Sequence, residues 1–177
     1  MKLYLISGHI GSGKSTAGNL LQGLLPDAIT VAFGDAVKDD IARIYKFDRR
    51  LCDSQLGKMT PIPTPDNGTK TIRELLIEHS AHMKLVKQDT GVWAGIVADG
   101  MSAEFDWIIH DWRYKKEYEV LKERFPEASL ITIRVNRSGV TPLNDPSEHD
   151  LDDYTFQHVL NNDGTRVDLR HKLQAII

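Results

Sequence analysis

The chain has 177 residues, 41% hydrophobic and 27% charged, with a net charge of −3. That is the profile of one globular domain, long enough to bury roughly 70% of its unfolded surface without staples. One cysteine, Cys52, excludes an internal disulfide and a Cys-based zinc site, and the near-neutral balance gives no global basic field for duplex DNA. No apolar run approaches the ~20 residues of a membrane span. Leu3 to Ile6 is too short for a signal-peptide core. The expectation is a reduced, cytoplasmic protein with no membrane partner.

In chain order, Leu3 to Ser7 reads as a buried strand. Ser15 to Leu25 is a helix with Ala17, Leu20, Leu21 and Leu24 on one face. Ala28 to Phe33 is a second strand and Asp35 to Tyr45 a second helix. Lys58 to Lys70 carries three prolines and an Asn-Gly pair, so an irregular, flexible insertion is expected there. Thr71 to Val86 is helical, and Thr71 with Glu74 is a capping-box pair. Val92 to Met101 reads as helix, and Trp107 to Asp111 as a strand ending in a carboxylate. Lys115 to Phe125 is helix, Leu130 to Val135 strand, and Asn136 to Asp150 irregular. Phe156 to Leu160 is a fifth strand, and Asp163 to Ile177 a closing helix. Apolar strands separated by helices predict one α/β domain over 1–177, a three-layer sandwich around a five-stranded, mostly parallel sheet.

The strongest motif is Gly8-His9-Ile10-Gly11-Ser12-Gly13-Lys14-Ser15, a full G-x-x-x-x-G-K-[ST] phosphate loop between a strand and a helix. Phosphate oxygens need donors. Backbone N–H groups in a tight glycine-bearing loop supply them, and the helix N-terminus running through Thr16 adds a favourable dipole. Lys14 then reaches the β- and γ-phosphates of ATP, and Ser15 offers its hydroxyl to Mg²⁺.

A second carboxylate on the Mg²⁺ side is expected at a strand tip. Asp35 and Asp111 both follow apolar runs, and both could instead cap a helix. Asp111 is the better Mg²⁺ candidate, acting through water. Arg113 and Arg137 lie just past strand ends, where ligands bind in open α/β sheets. Arg43 and Arg73 lie on helices nearby. Guanidinium forks suit phosphate, so the four are candidate phosphate ligands. Trp112 could stack on a base or pack in the core, and Trp93 could form core or pocket wall. His79 and His82 are spaced as a ligand pair but lack a third partner.

The chain resembles the phage-type deoxynucleoside monophosphate kinases. The resemblance rests on the phosphate loop, on Phe33-Gly34-Asp35-Ala36-Val37-Lys38, and on Arg73-Glu74-Leu75-Leu76 with Trp93 beyond it. It also rests on Asp111-Trp112-Arg113-Tyr114 with Glu117 downstream, on Pro146-Ser147-Glu148 and on Asn162-Asp163-Gly164-Thr165. It implies phosphoryl transfer from ATP, with Mg²⁺, to a deoxynucleoside monophosphate, and host cytoplasm as the setting if phage-encoded. It implies that Arg113 and Arg73 hold the acceptor phosphate, that Asp35 and Lys38 face the acceptor, and that Arg137 belongs to a lid over 136–150. Asn162 and Gly164 would lie near the donor adenine, and 46–102 would form an acceptor-binding insertion. Ser80-Ala81-His82 departs from the family pattern, and Lys84 or Lys87 stands in for an arginine common there.

Two further readings use the same loop. One is a kinase of a hydroxyl acceptor: a nucleoside, dephospho-coenzyme A, or a hydroxymethylated base in phage DNA. A hydroxyl benefits from a positioned carboxylate, and Asp35 is the position for one. The other is a nucleotide-binding switch, against which stands the absence of an N-K-x-D sequence. Lys84, Lys87, Lys115, Lys116, Lys122 and Arg124 could offer DNA a local basic surface, but Glu117, Glu119 and Glu123 intervene. A small-molecule nucleotide is the expected partner, with the protein a monomer or homodimer.

Overall fold

Leu3, Tyr4, Leu5 and Ile6 are all fully buried in the computed structural model, which describes residues 1–177. An apolar run without alternation marks a strand covered on both faces, and β1 (Lys2–Ser7) lies at the centre of the sheet. β5 (Trp107–Ile109) and β6 (Ser129–Asn136) flank it, with β2 (Ile29–Val31) outside β5 and β7 (His158–Asn161) outside β6. Every pairing is parallel, with Leu3 opposite both Trp107 and Leu130.

The period of two along β1 divides its side chains between two cores. Leu3 and Leu5 join Trp107 and Ile109 under α2 (Phe33–Tyr45), α4 (Val92–Asp99) and α5 (Lys115–Arg124). Tyr4 and Ile6 join Ile108, Ile133 and Val135 under α1 (Lys14–Gln22) and α7 (Arg166–Gln174). This is the expected three-layer α/β sandwich. Each fully buried Leu or Ile contributes roughly 1.5–3 kcal/mol to it.

Segment 46–102 is not one unit. Two 3₁₀ turns (Arg49–Asp53 and Gly57–Met59) lead into an antiparallel ribbon of β3 (Pro61–Pro63) and β4 (Thr69–Thr71). With α3 (Ile72–Lys87) these pack on α2 through a satellite core of Ile41, Cys52, Ile62, Ile72 and Leu75. α4, by contrast, belongs to the main core through Trp93, Ala94 and Ala98.

The irregular insertion expected over 58–70 is corrected by that ribbon. Both of its strands are edges, so prolines at 61 and 63 need no N–H for a second neighbour, while Ile62 between them is buried. Thr71 caps α3 as its sequence predicts, accepting from the Glu74 N–H while the Glu74 carboxylate accepts from the Thr71 N–H. The stretch 136–150 is irregular except for the short α6 (Pro146–His149).

Candidate active site

β1 delivers the chain to Gly8 at the carboxyl edge of the sheet. A Cβ on Gly8 would stand 2.3 Å from the Val135 carbonyl oxygen, so only glycine lets the loop leave between β1 and β6. Gly13 has φ 101°, and a Cβ there would meet the Asn162 amide at 2.3 Å. Between them Ser12 is 1% exposed, and its hydroxyl has no hydrogen-bond partner. No side chain caps α1, so its first-turn N–H groups face the loop uncovered.

The Lys14 ammonium bends back, donating to the carbonyls of Gly8 at 2.6 Å and His9 at 2.9 Å. Burial first, and then the neighbouring Arg113 cation, lower its pKa to about 8, against the opposing pull of Glu148 and Asp111. Ser15 is exposed on the first turn of α1, with Thr16 beside it half-buried. A tight loop, a lysine short of counter-charge and an unpartnered hydroxyl fit a polyphosphate tail.

Asp111 follows β5. Its two carboxylate oxygens accept the Phe33 and Gly34 N–H groups, each at 2.8 Å, so it pins the start of α2 to the sheet edge. Asp35 is the third residue of that helix and accepts the Ala32 N–H at 3.0 Å. Its other oxygen takes Lys38 at 2.9 Å and Arg49 at 3.0 Å. Burial pushes the Asp35 carboxyl up, but Lys38, the Ala32 N–H and Arg49 outweigh it and hold it below the usual range. Lys38 also reaches Asp53 at 3.2 Å.

Beside the loop a cleft of about 640 Å³ opens between the start of α2, α3 and residues 145–147. Lys38, Lys84 and Arg113 bring cations to it, and Leu76, Ile77 and Ala81 give an apolar wall. A recess of about 130 Å³ shares several of these residues and continues to Trp93, Asp111 and Glu117. The Lys84 ammonium sits 4.5 Å above the Tyr114 ring centre and 3.3 Å from its hydroxyl, and burial lowers its pKa. Glu117 is buried and accepts the N–H groups of Arg113 at 2.8 Å and Tyr114 at 2.9 Å, capping α5. Burial raises its pKa to about 8.

Three expected site residues stand elsewhere. Arg43 is paired with Asp40 and lines a separate hollow of about 700 Å³ on the other flank of α2. Arg73 is exposed on the first turn of α3, bonded to Gln55; the cleft wall begins one turn later, at Leu76. Trp112 is fully buried against Tyr118, Tyr154 and Phe156, and its indole N–H donates to the Tyr114 carbonyl at 2.7 Å, so no base can stack on it. Trp93 is 2% exposed and stands 5.6 Å from the His79 ring, whose other neighbour is Asp40 at 2.6 Å.

Asn162 buttresses the loop, donating to the Ser12 carbonyl at 2.9 Å. Gly164 gives room to the cap of α7, since a Cβ there would lie 2.6 Å from the Asp168 carboxylate. Arg137 is exposed past the end of β6 and makes no ion pair.

Arg134 escaped sequence reasoning, and Glu148 entered it only as part of the resemblance, without a role. Arg134 is 8% exposed in β6, donating to Ser7 at 3.3 Å and Asp152 at 3.1 Å and lying 2.8 Å from the His9 ring nitrogen. An arginine inside the apolar run Leu130 to Val135 was its signal. Glu148 is 5% exposed and touches both the phosphate loop and Arg113. Its sequence signal was the Pro146-Ser147-Glu148 motif, which gave it no role.

No family model and no curated relative matches this chain. Among solved structures, a gluconokinase from Sinorhizobium meliloti 1021 superimposes with TM-score 0.51 and 12% identity, covering 98% of this chain and 90% of its own. An APS kinase from Mycobacterium tuberculosis gives TM-score 0.49 and 9% identity over 99% and 95% of the two chains. The chain shares its α/β fold with that gluconokinase. No helix is long and apolar enough to cross a membrane.

Proposed function

We propose that this protein transfers a phosphoryl group from ATP to a small anionic acceptor, a deoxynucleoside monophosphate. The observation that carries the reading is the convergence of Arg113, Lys84 and Lys38 on one cleft beside Lys14 and the phosphate loop. Two anionic groups brought together need such a cation set around them. The apolar face of α3 across the cleft suits a base and sugar.

Lys14 turns from the loop carbonyls to the donor phosphates. Arg113 and Lys84 hold the acceptor phosphate, which is already ionised and needs no base. Mg²⁺, when bound with ATP, neutralises charge on the donor phosphates. The Ser15 hydroxyl and Asp111 are the residues that would hold it, Asp111 through water and the lone pairs that α2 leaves free. Asp35 is tied to Lys38 and Arg49 and serves as a helix cap and charge partner rather than a base.

An ATP-dependent phosphorylation screen tests this. It should contain the four deoxynucleoside monophosphates, modified pyrimidine monophosphates, free nucleosides, dephospho-coenzyme A, gluconate and hydroxymethylated DNA. Transfer to a monophosphate is the expected result. Transfer only to hydroxyl acceptors overturns the acceptor assignment, and no transfer to any of them overturns the kinase reading.

A further inference from the structure

Glu148 is a buried carboxylate that the mechanism above leaves unused. One oxygen accepts the Ile10 N–H of the phosphate loop at 2.7 Å, and the other pairs with the Arg113 guanidinium. The side chain is nearly sealed from solvent, while Arg113 keeps about a third of its side-chain surface open on the cleft. Arg113 is thus fixed at both ends: its backbone N–H by Glu117 at 2.8 Å and its guanidinium by Glu148.

We propose that Glu148 is the positioning residue that couples the nucleotide loop to the acceptor arginine, so that donor and acceptor phosphates meet in a fixed register. The inference rests on the kinase reading for what Arg113 holds, but not for the coupling itself. A buried carboxylate shared by two donors fixes their separation, because moving either one leaves a desolvated charge unpaired. Arg113 and Arg134 are like charges close enough to Lys14 to lower its pKa, and Glu148, with Asp111, is an anion that opposes them there. The Ile10 N–H, Arg113 and Lys14 in turn keep the Glu148 carboxyl below its usual range despite its burial. The neighbouring chain reinforces the tie: Asp152 bonds His9 and Arg134, each at 3.1 Å. The loop and the end of the 136–150 segment are therefore joined at several points.

The test compares wild type, E148Q, E148D and R113K in steady-state transfer, with a double-mutant cycle over positions 148 and 113. Gln keeps an oxygen for the Ile10 N–H and removes the charge that orients Arg113. For E148Q, kcat is expected to fall on the order of 100-fold, as for a misplaced reacting group. Acceptor KM should rise about tenfold, while ATP affinity and melting temperature stay close to wild type. E148D should recover part of kcat, and in the R113K background E148Q should cost much less. Unchanged kinetics, strictly additive effects, or faster turnover with tighter ATP binding would overturn the proposal. The last outcome would make Glu148 a self-occluding anion in the phosphate site. If no acceptor turned over in wild type, the kinase reading would fail alone. Amide and guanidinium NMR would still decide the coupling: E148A shifts both Ile10 and Arg113 resonances if the tie exists and leaves one of them unmoved if it does not.

Discussion

On the proposed reading, Lys14 is the one side chain that carries the donor site. Held among loop carbonyls and beside Arg113, its pKa is about 8, and polyphosphate drawn against the ammonium must raise it again. Nucleotide binding therefore takes up a proton above pH 8, and affinity falls as pH rises past that value. Calorimetry at pH 8.5 in two buffers of different ionisation enthalpy should show the uptake. Lys14→Ala should abolish the uptake and most turnover while leaving the circular dichroism spectrum intact. Asp35 is a second case. Its carboxylate is committed to Ala32, Lys38 and Arg49, so Asp35→Asn should reduce monophosphate transfer only modestly. Near-total loss of kcat with unchanged acceptor KM would instead mark a general base and a hydroxyl acceptor.

At the scale of elements, helix starts are built by long-range as well as local caps. α3 caps itself through Thr71 and Glu74, whereas α2 takes its first two N–H partners from Asp111, in the segment that follows β5. α5 depends on Glu117, whose folded pKa stands near 8 against an ordinary value of 4.5. Between those two values the folded state keeps a proton that the unfolded chain has lost, so stability drops as pH climbs through the window. Glu117→Gln, which keeps an acceptor for both N–H groups, should flatten that slope and be at least as stable at pH 7.5. Glu117→Ala should lose about 1–3 kcal/mol, the cost of orphaned buried donors. Urea unfolding of the three proteins from pH 5 to pH 8.5 separates these outcomes.

For the whole molecule, the sheet edge gathers the loop, the cleft and the 136–150 segment on one side. Arg137 sits exposed on that segment with Gly139, φ 74°, two residues on. On the proposed kinase reading, closure of this segment over bound nucleotide would bring a cation to the transferring group and exclude water. ATP together with acceptor should protect the Arg137–Ser138 bond from trypsin. Arg137→Ala should lower kcat roughly 100-fold with little change in ATP affinity, the pattern of a transition-state contact. Unaltered cleavage with both ligands present would remove Arg137 from the lid.

Chain-local patterns were enough for the phosphate loop, the strand–helix alternation and the parallel sheet. A loop motif and a run of buried residues are set by neighbours in sequence. They also placed the cap of α3, where both partners lie within one turn. What they could not reach is which charges meet. Asp111 bonds Phe33 across 78 residues and Glu148 bonds Ile10 across 138. Arg43 and Arg73 look like phosphate ligands until their helices are packed, after which neither lies on the cleft. Only the strand order β2-β5-β1-β6-β7 and the packing over it choose among such side chains. Helical phase and sheet topology, rather than residue type, decide which donors share a cleft.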